Sequence, residues 1–264
     1  MIKRKRSAPR GSWRAFNNKR LIQQRRLGAA YYRGIRKVFG KFPRIPGVKE
    51  IEKILKAEAG KASIISYKTA LVNGFNDVEA AYGGKLPISK MVNIEKISFG
   101  DLATLGIPTD QKLINEIGMV DVKTVAKSRQ AEMRAAHASA IEAGGSVTEA
   151  LQAAKVGLES QAGYVARRIA QTESTRIYAA GSLDSYEKST VAKGKGWSSN
   201  MSGNVRQPPE SEFNHAAANG EEVAPDKPFV MTGEELMYPG DPNGSAGNVI
   251  NCHCGTYPVI RKAG

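Results

Sequence analysis

Five side chains in this protein are soft metal ligands, two cysteines and three histidines, and three of them fall in one run, Asn251-Cys252-His253-Cys254. On an extended strand Cys252 and Cys254 would share one side and His253 would take the other. Together with His215, two thiolates and an imidazole make a zinc-type donor set. The C-x-C step is tighter than the usual C-x-x-C pair, and a fourth ligand would have to come from Asp241, His253 or water. The plainer reading is a pair of reduced thiols filling a small core; a redox role is the third. A Cys252–Cys254 disulfide would close a very small, strained ring, so a reducing compartment is expected. Glu210-Ser-Glu212 precedes His215, and paired carboxylates beside an imidazole could serve acid–base chemistry. That defines an alternative: a zinc-dependent hydrolase or nucleotide-dependent transferase built on His215, Cys252, Cys254, Glu210 and Glu212. Short acidic loops are more often solvated surface. G-x-x-x-x-G-K-[ST], H-E-x-x-H, G-x-S-x-G and G-x-G-x-x-G are all absent, so the expectation is a protein without an active site.

A second constellation is Arg167-Arg168-Ile-Ala-Gln-Thr172-Glu173 with Arg176. On a helix Ile169, Glu173 and Ile177 share a face, so Glu173 interrupts an apolar stripe. A carboxylate there needs a partner, and Arg176 at i+3 is the local one. Either the pair locks the helix to the C-terminal module, or it is a half-exposed helix salt bridge.

The elements that must position these residues are mostly helices. Residues 1–18 are expected as a disordered basic tail and 19–39 as a helix. Helical patterns resume at about 48–60 and 62–82, and 85–110 reads as a connecting region. Another helix spans about 121–143, and Ser146-Val-Thr-Glu149 matches a capping box opening a helix to about Lys188. Its apolar positions Val147, Leu151, Ala154, Leu158, Val165 and Ile169 keep a 3/4 spacing. Beyond Gly196 the chain turns rich in Pro, Gly, Asn and Ser, and Val249–Val259 alternates like a strand. The fold class is therefore mainly α: a long-helix N-terminal body, a small loop-rich α+β C-terminal module and a basic flexible N-terminal arm. The divisions are 1–44 (arm), 45–119 (helical region), 120–196 (long helix) and 197–264 (module). No apolar run reaches the ~18 residues of a membrane span, and no apolar segment succeeds the basic start as in a secretory signal.

Charge is divided as sharply as composition. Of the chain's 39 Lys and Arg, 15 fall in residues 1–44, which hold no acid; the remainder, with 24 bases against 25 acids, is nearly neutral. Such an arm is an electrostatic footprint for a polyanion. Lys3, Arg4, Lys5, Arg6, Arg10, Arg14, Lys19, Arg20, Arg25 and Arg26 are the candidate phosphate contacts, giving salt-sensitive binding to double-stranded DNA without sequence preference. Trp13, Phe16, Tyr31, Tyr32 and Phe39 could stack on bases; Tyr31, Tyr32, Ile35 and Phe39 also have the spacing of a helix face docking on protein. An acidic protein partner and a solubilising tail are the competing readings. Deletion of residues 1–44 is expected to abolish DNA binding and leave the rest folded.

An ordered series of short motifs runs from about residue 120 to 262. It begins with Arg168-Ile-Ala-Gln-Thr172-Glu173, Arg176, Ala180-Gly181 and Tyr186. It continues through Lys195-Gly-Trp197, Val205-Arg206, His215 and Asn219-Gly220-Glu-Glu-Val223. It closes with Phe229, Met237-Tyr-Pro-Gly-Asp-Pro242 and Asn251-Cys-His-Cys254 leading to Pro258-Val259. In order and spacing the series resembles the phage Mu F-like head morphogenesis family, the minor capsid proteins of tailed phages. Two departures stand out: His253 lies where the family commonly has Arg between the cysteines, and Arg206-Gln-Pro-Pro209 replaces an upstream Cys-containing step. The resemblance implies a non-enzymatic virion protein, present in a few copies inside the head near the portal vertex and in the host cytoplasm during assembly. Its implied partners are the portal protein and packaged DNA, with scaffolding or major capsid protein as further candidates and no membrane. Its implied roles are head assembly and genome packaging or ejection. Arg168, Thr172, Glu173, Arg176, Trp197 and His215 are its structural motif residues. No cofactor is expected, with structural zinc on His215, Cys252 and Cys254 the one candidate.

Overall fold

The computed structural model describes residues 8–9, 12–40, 44–83, 122–199 and 205–260. Among the described residues four long helices form the body: α1 (Ser12–Gly40), α2 (Val48–Tyr82), α3 (Val122–Glu142) and α4 (Val147–Glu187). The described part of the C-terminal module has five strands: β1 (Ala192–Ser198), β2 (Glu222–Val223), β3 (Phe229–Met231), β4 (Glu234–Leu236) and β5 (Gly255–Ile260). One helical turn, α5 (Ala246–Val249), precedes β5. The protein is mainly α, with a small antiparallel C-terminal module. The expected boundary at 196/197 falls inside β1. None of the helices among the described residues is long and apolar enough to cross a membrane.

The capping box at the start of α4 forms as its sequence dictates. Ser146 Oγ accepts from the Glu149 backbone N–H at 3.3 Å, and the Glu149 carboxylate accepts from the Ser146 N–H at 2.8 Å, so two amides that lack intrahelical partners are satisfied. Residues 48–82 form a single helix where two were expected; Gly60 is buried within it. The stripe that α4 buries overlaps the expected one at Ala154 and Leu158, with Val165 and Ile169 half-buried beside it, but is otherwise made of alanines. Ala150, Ala154, Leu158, Ala162, Ala166 and Ala170 are covered while Val147, Val156 and Tyr164 are exposed. Small side chains on the buried face let neighbouring helices pack close. The region 85–110 lies outside the described residues.

The largest departure from expectation is residues 12–40. The described part of the supposed arm is a helix whose Leu27, Ala30, Tyr31, Ile35 and Val38 belong to the main apolar core, against Ile51, Leu55 and Leu71 of α2 and Ala166 and Ala170 of α4. Its start also clasps the module and the second half of α4. Trp13 Nε1 donates to the His253 carbonyl at 2.7 Å, the Ser12 and Ser198 hydroxyls are 2.8 Å apart, and Phe16 meets Tyr178 edge-on at 4.9 Å. Tyr31 and Ile35 thus obey the protein-docking spacing, and the protein they dock on is their own chain. Residues 1–7 and 10–11 lie outside the described set.

In the module, β1 is the central strand of a sheet in the order β2-β1-β5, with Gly196 opposite Glu222 on one side and Tyr257 on the other. The β3–β4 hairpin turns at Thr232-Gly233, both at positive φ, the backbone of a tight two-residue hairpin turn. Trp197, Phe229, Met231, Leu236, Ala218, Cys252 and Cys254 form its thin core. The expected strand from Val249 is shorter: Ser245 opens the α5 turn, Asn251 takes a left-handed φ of 59°, and β5 begins only at Gly255.

Candidate functional site

The motif residues converge where the second half of α4 meets the module. Glu173 and Arg176 are both about 2 % exposed and form an ion pair, so the fully enclosed version of that pair is the one the chain adopts. The backbone of Arg176 lies against Gly240, where a Cβ would come within 3.1 Å of the Arg176 nitrogen. Beside this pair and in the turn before it, the Cys252 carbonyl accepts from Thr175 Oγ1 at 2.7 Å and from Gln171 Nε2 at 3.2 Å, and Thr172 Oγ1 accepts from the Asn251 N–H at 3.0 Å. The Arg206 guanidinium donates to the carbonyls of Asn248 and Ile250. The Asn251–Cys254 run is therefore pinned by its backbone to α4, and the Cys252 and Cys254 side chains face the module core.

There Cys252 Sγ and Cys254 Sγ lie 3.6 Å and 3.4 Å from Nδ1 of His215. The ligand atoms of all three lie within 4.8 Å of one another, and all three residues are buried. Both thiols are free. On its other side, His215 Nε2 is 3.0 Å from Asn248 Oδ1, and the Asn248 amide nitrogen is 3.4 Å from the Met231 carbonyl. A carbonyl partner puts the ring proton on Nε2 and turns the Nδ1 lone pair towards the sulfurs. Trp197 packs edge-on against the imidazole at 5.7 Å. The hydrogen bond from Cys254 and the adjacent imidazole hold the Cys252 thiol well below its usual range, while burial pushes Cys254 up. Nearby, burial lowers Lys195 to about 8; its Nζ has no hydrogen-bond partner among the described residues and sits 5.4 Å from the Phe229 ring centre.

The remaining sequence candidates are placed elsewhere. Glu210 and Glu212 are exposed and do not join the buried cluster. Asp241 is buried, but its carboxylate accepts from the amides of Met237 and Asn243, at 2.7 and 2.9 Å, and so caps its own turn. Sequence reasoning missed Asn248 and Thr175, and it quoted Gln171 within the motif without giving it a role. A lone Asn on a one-turn helix and a Thr inside a long helix carry no pattern that would single them out.

The cationic candidates divide. Arg20 is buried, and its guanidinium donates to Asn17 at 2.6 Å and Ser174 at 3.1 Å, with its pKa lowered to about 10 by burial; it is a structural residue, not a phosphate contact. Lys19 pairs with Asp77 at 2.6 Å. Further along α1, Arg33 and Lys37 pair with Glu58 and Arg36 with Glu159. Three acids of α2 and α4 thus offset part of the arm's charge, pairing with four of its fifteen bases. Arg14, Arg25 and Arg26 are exposed, while Lys3, Arg4, Lys5, Arg6 and Arg10 lie outside the described residues. A cleft of about 870 Å³ between α4 and the module is lined by Arg167, Arg168 and Arg206 along with Gln24, Phe213 and Asn251.

The chain is similar to the uncharacterized protein YqbB of Bacillus subtilis (strain 168), 34% identical over 97 residues. The match covers 36% of this chain and 30% of YqbB, so the chain spans less than a third of the length of the curated relative it matches. No family model matches the chain, and no solved structure matches it.

Proposed function

We propose that this protein is a non-enzymatic head-assembly protein of the tailed-phage minor capsid type. In this reading it sits inside the head near the portal vertex, docks on the portal protein and touches packaged DNA. The observation that carries the reading is the convergence of the motif series. Glu173, Arg176, Trp197, His215, Gly240 and Cys252–Cys254, far apart in sequence, build one interlocked unit. Residues kept in that order serve a scaffold whose surface does the docking. The burial of His215, Cys252 and Cys254, away from the exposed Glu210 and Glu212, supports binding over turnover, since a catalytic metal needs a position open to substrate.

The DNA contacts of this proposal are fewer than the sequence suggested: Arg14, Arg25 and Arg26 on α1, with Lys3, Arg4, Lys5, Arg6 and Arg10 ahead of it. A density map of the intact particle tests the docking; the expected result is this chain at the portal vertex, and its absence from heads would overturn the reading. Fluorescence anisotropy of the full chain with duplex DNA across a salt series tests the contacts. Replacing Arg14, Arg25 and Arg26 by Gln should flatten the log K against log [salt] slope by roughly 0.9 for each phosphate no longer neutralised. An unchanged slope would remove α1 from the DNA-binding surface.

A further inference from the structure

We infer that His215, Cys252 and Cys254 form a structural zinc site that staples the C-terminal module. Three observations meet there. The first is distance. With Zn–S near 2.3 Å and Zn–N near 2.0–2.1 Å, the N–S edge of a zinc tetrahedron is about 3.6 Å. The structure places Nδ1 at 3.6 and 3.4 Å from the two sulfurs, so a cation can sit between the three atoms without moving their residues far.

The second is orientation. A histidine that binds a metal through one nitrogen donates the other N–H to an oxygen, which fixes the ring and its tautomer. Asn248 Oδ1 does this at Nε2 of His215. Asn248 is itself fully buried and held through the Met231 carbonyl, so the support extends into the β3–β4 hairpin. Ser199 is adjacent, its Oγ 3.9 Å from Cys254 Sγ, and gives its proton to the His215 carbonyl. Its oxygen is thus free to accept, and this hydroxyl or a water would complete four-coordination.

The third is charge and context. Two thiolates neutralise a divalent cation, so the occupied site puts no net charge into the buried core. The module core is small, and small cores gain most from a metal. A zinc there ties the loop carrying His215 to the Cys252–Cys254 run, and through the Thr175 and Gln171 bonds to α4. The staple acts whatever the module docks on, so its fate is separate from that of the head-assembly reading.

The full-length chain, purified under reducing conditions without chelator, should carry one zinc by elemental analysis. Stripped of metal, reduced and titrated with cobalt(II), it should show a thiolate-to-cobalt charge-transfer band in the near ultraviolet and the intense visible bands of tetrahedral cobalt. Both should vanish on adding zinc. Asn248→Ala should weaken zinc binding by about 10–100-fold with both sulfurs present, and Cys254→Ser should remove the charge-transfer intensity of one thiolate. If stripping the metal unfolds the chain, zinc should refold it, as monitored by circular dichroism. The inference is overturned if the reduced wild-type chain gives only the weak spectrum of octahedral cobalt or holds no zinc through gel filtration. It is equally overturned if a stripped, unfolded chain is not restored by zinc. Because these readouts are made on the wild-type chain, a variant that fails to fold does not blunt them.

Discussion

The two halves of α4 are built on different rules. From Ala150 to Ala170 full burial recurs at every fourth residue, and the rest of the surface is half-buried, as at Val165 and Ile169, or open. From Gln171 to Tyr186 nearly every residue is buried, among them Glu173, Ser174, Thr175, Arg176, Ser182 and Ser185. The first half needs only a neighbour on one side, and α3 with the end of α1 supplies it. The second half is surrounded: Tyr67 of α2 donates to Asp184, Arg20 of α1 donates to Ser174, and the module covers Thr175 and Arg176. A helix enclosed on all sides must bury polar groups only where partners wait. The motif residues therefore crowd into this half.

The largest effect tests the wall that α1 forms. Deleting residues 1–44, which the charge pattern alone marks as dispensable, should unfold the protein, because it removes Leu27, Tyr31, Ile35 and Val38 from the core together with Arg20. Loss of the helical circular dichroism signal and of a cooperative thermal transition is the expected result. A folded, cooperative truncation would show that the second half of α4 can live without α1.

Ion pairs sharpen the contrast next. Glu173→Ala strands the buried Arg176 guanidinium and should cost about 3–5 kcal/mol. Glu159→Ala breaks the exposed pair with Arg36 on the first half and should cost at most about 1 kcal/mol. Urea unfolding of both variants compares them directly; equal losses would mean that the two halves are not differently enclosed.

Asp184 gives the contrast a pH dependence. Burial raises its pKa from 3.8 to about 6, against the opposing pull of the Tyr67 hydrogen bond. Between those values the folded state holds a proton that the unfolded chain has released. Stability therefore falls as pH rises from about 4 to 6 and is flat above, by up to about 3 kcal/mol for two units at about 1.4 each. Asp184→Asn keeps an acceptor for Tyr67 and carries no charge, so its unfolding free energy should lose this fall. Burial raises Asp77 and Glu187 too, while hydrogen bonds lower Glu50, Glu58, Glu149 and Glu234, so the variant keeps the balance of those groups and the difference from wild type reads Asp184. A variant with the full wild-type slope would remove Asp184 as its source.

These differences also explain what was legible beforehand. The helix bounds of α3 and α4 were readable, since a capping box and glycine stops act over a few neighbouring residues. The convergence of Cys252, Cys254 and His215 came from donor chemistry, which does not depend on the path between them. The fate of α1 was not readable, because a charge count along the chain sees 15 bases without an acid. The three acids that pair with Lys19, Arg33, Lys37 and Arg36, namely Asp77, Glu58 and Glu159, sit on α2 and α4 and meet them only after folding. Likewise Glu173 could be recognised as needing a partner, but the burial of that partner, Arg176, depends on Gly240 arriving from the module.

The smallest effects come from one substitution made twice. A Cβ at Gly181 would lie 2.8 Å from Ala70 Cβ and 3.0 and 3.1 Å from the backbone of Tyr67 and Leu71, where α2 crosses α4. Gly181→Ala must push two helix backbones apart and should cost about 1–3 kcal/mol. A Cβ at Gly157, in the first half, meets nothing within 4 Å. Gly157→Ala only removes the entropy that glycine loses in a helix, and should stabilise by about 0.5–1 kcal/mol. Thermal melts of the two variants should thus shift in opposite directions. A Gly157→Ala that destabilises would mean that a surface meets this stretch of α4, and the open half of the helix would then be as enclosed as its partner.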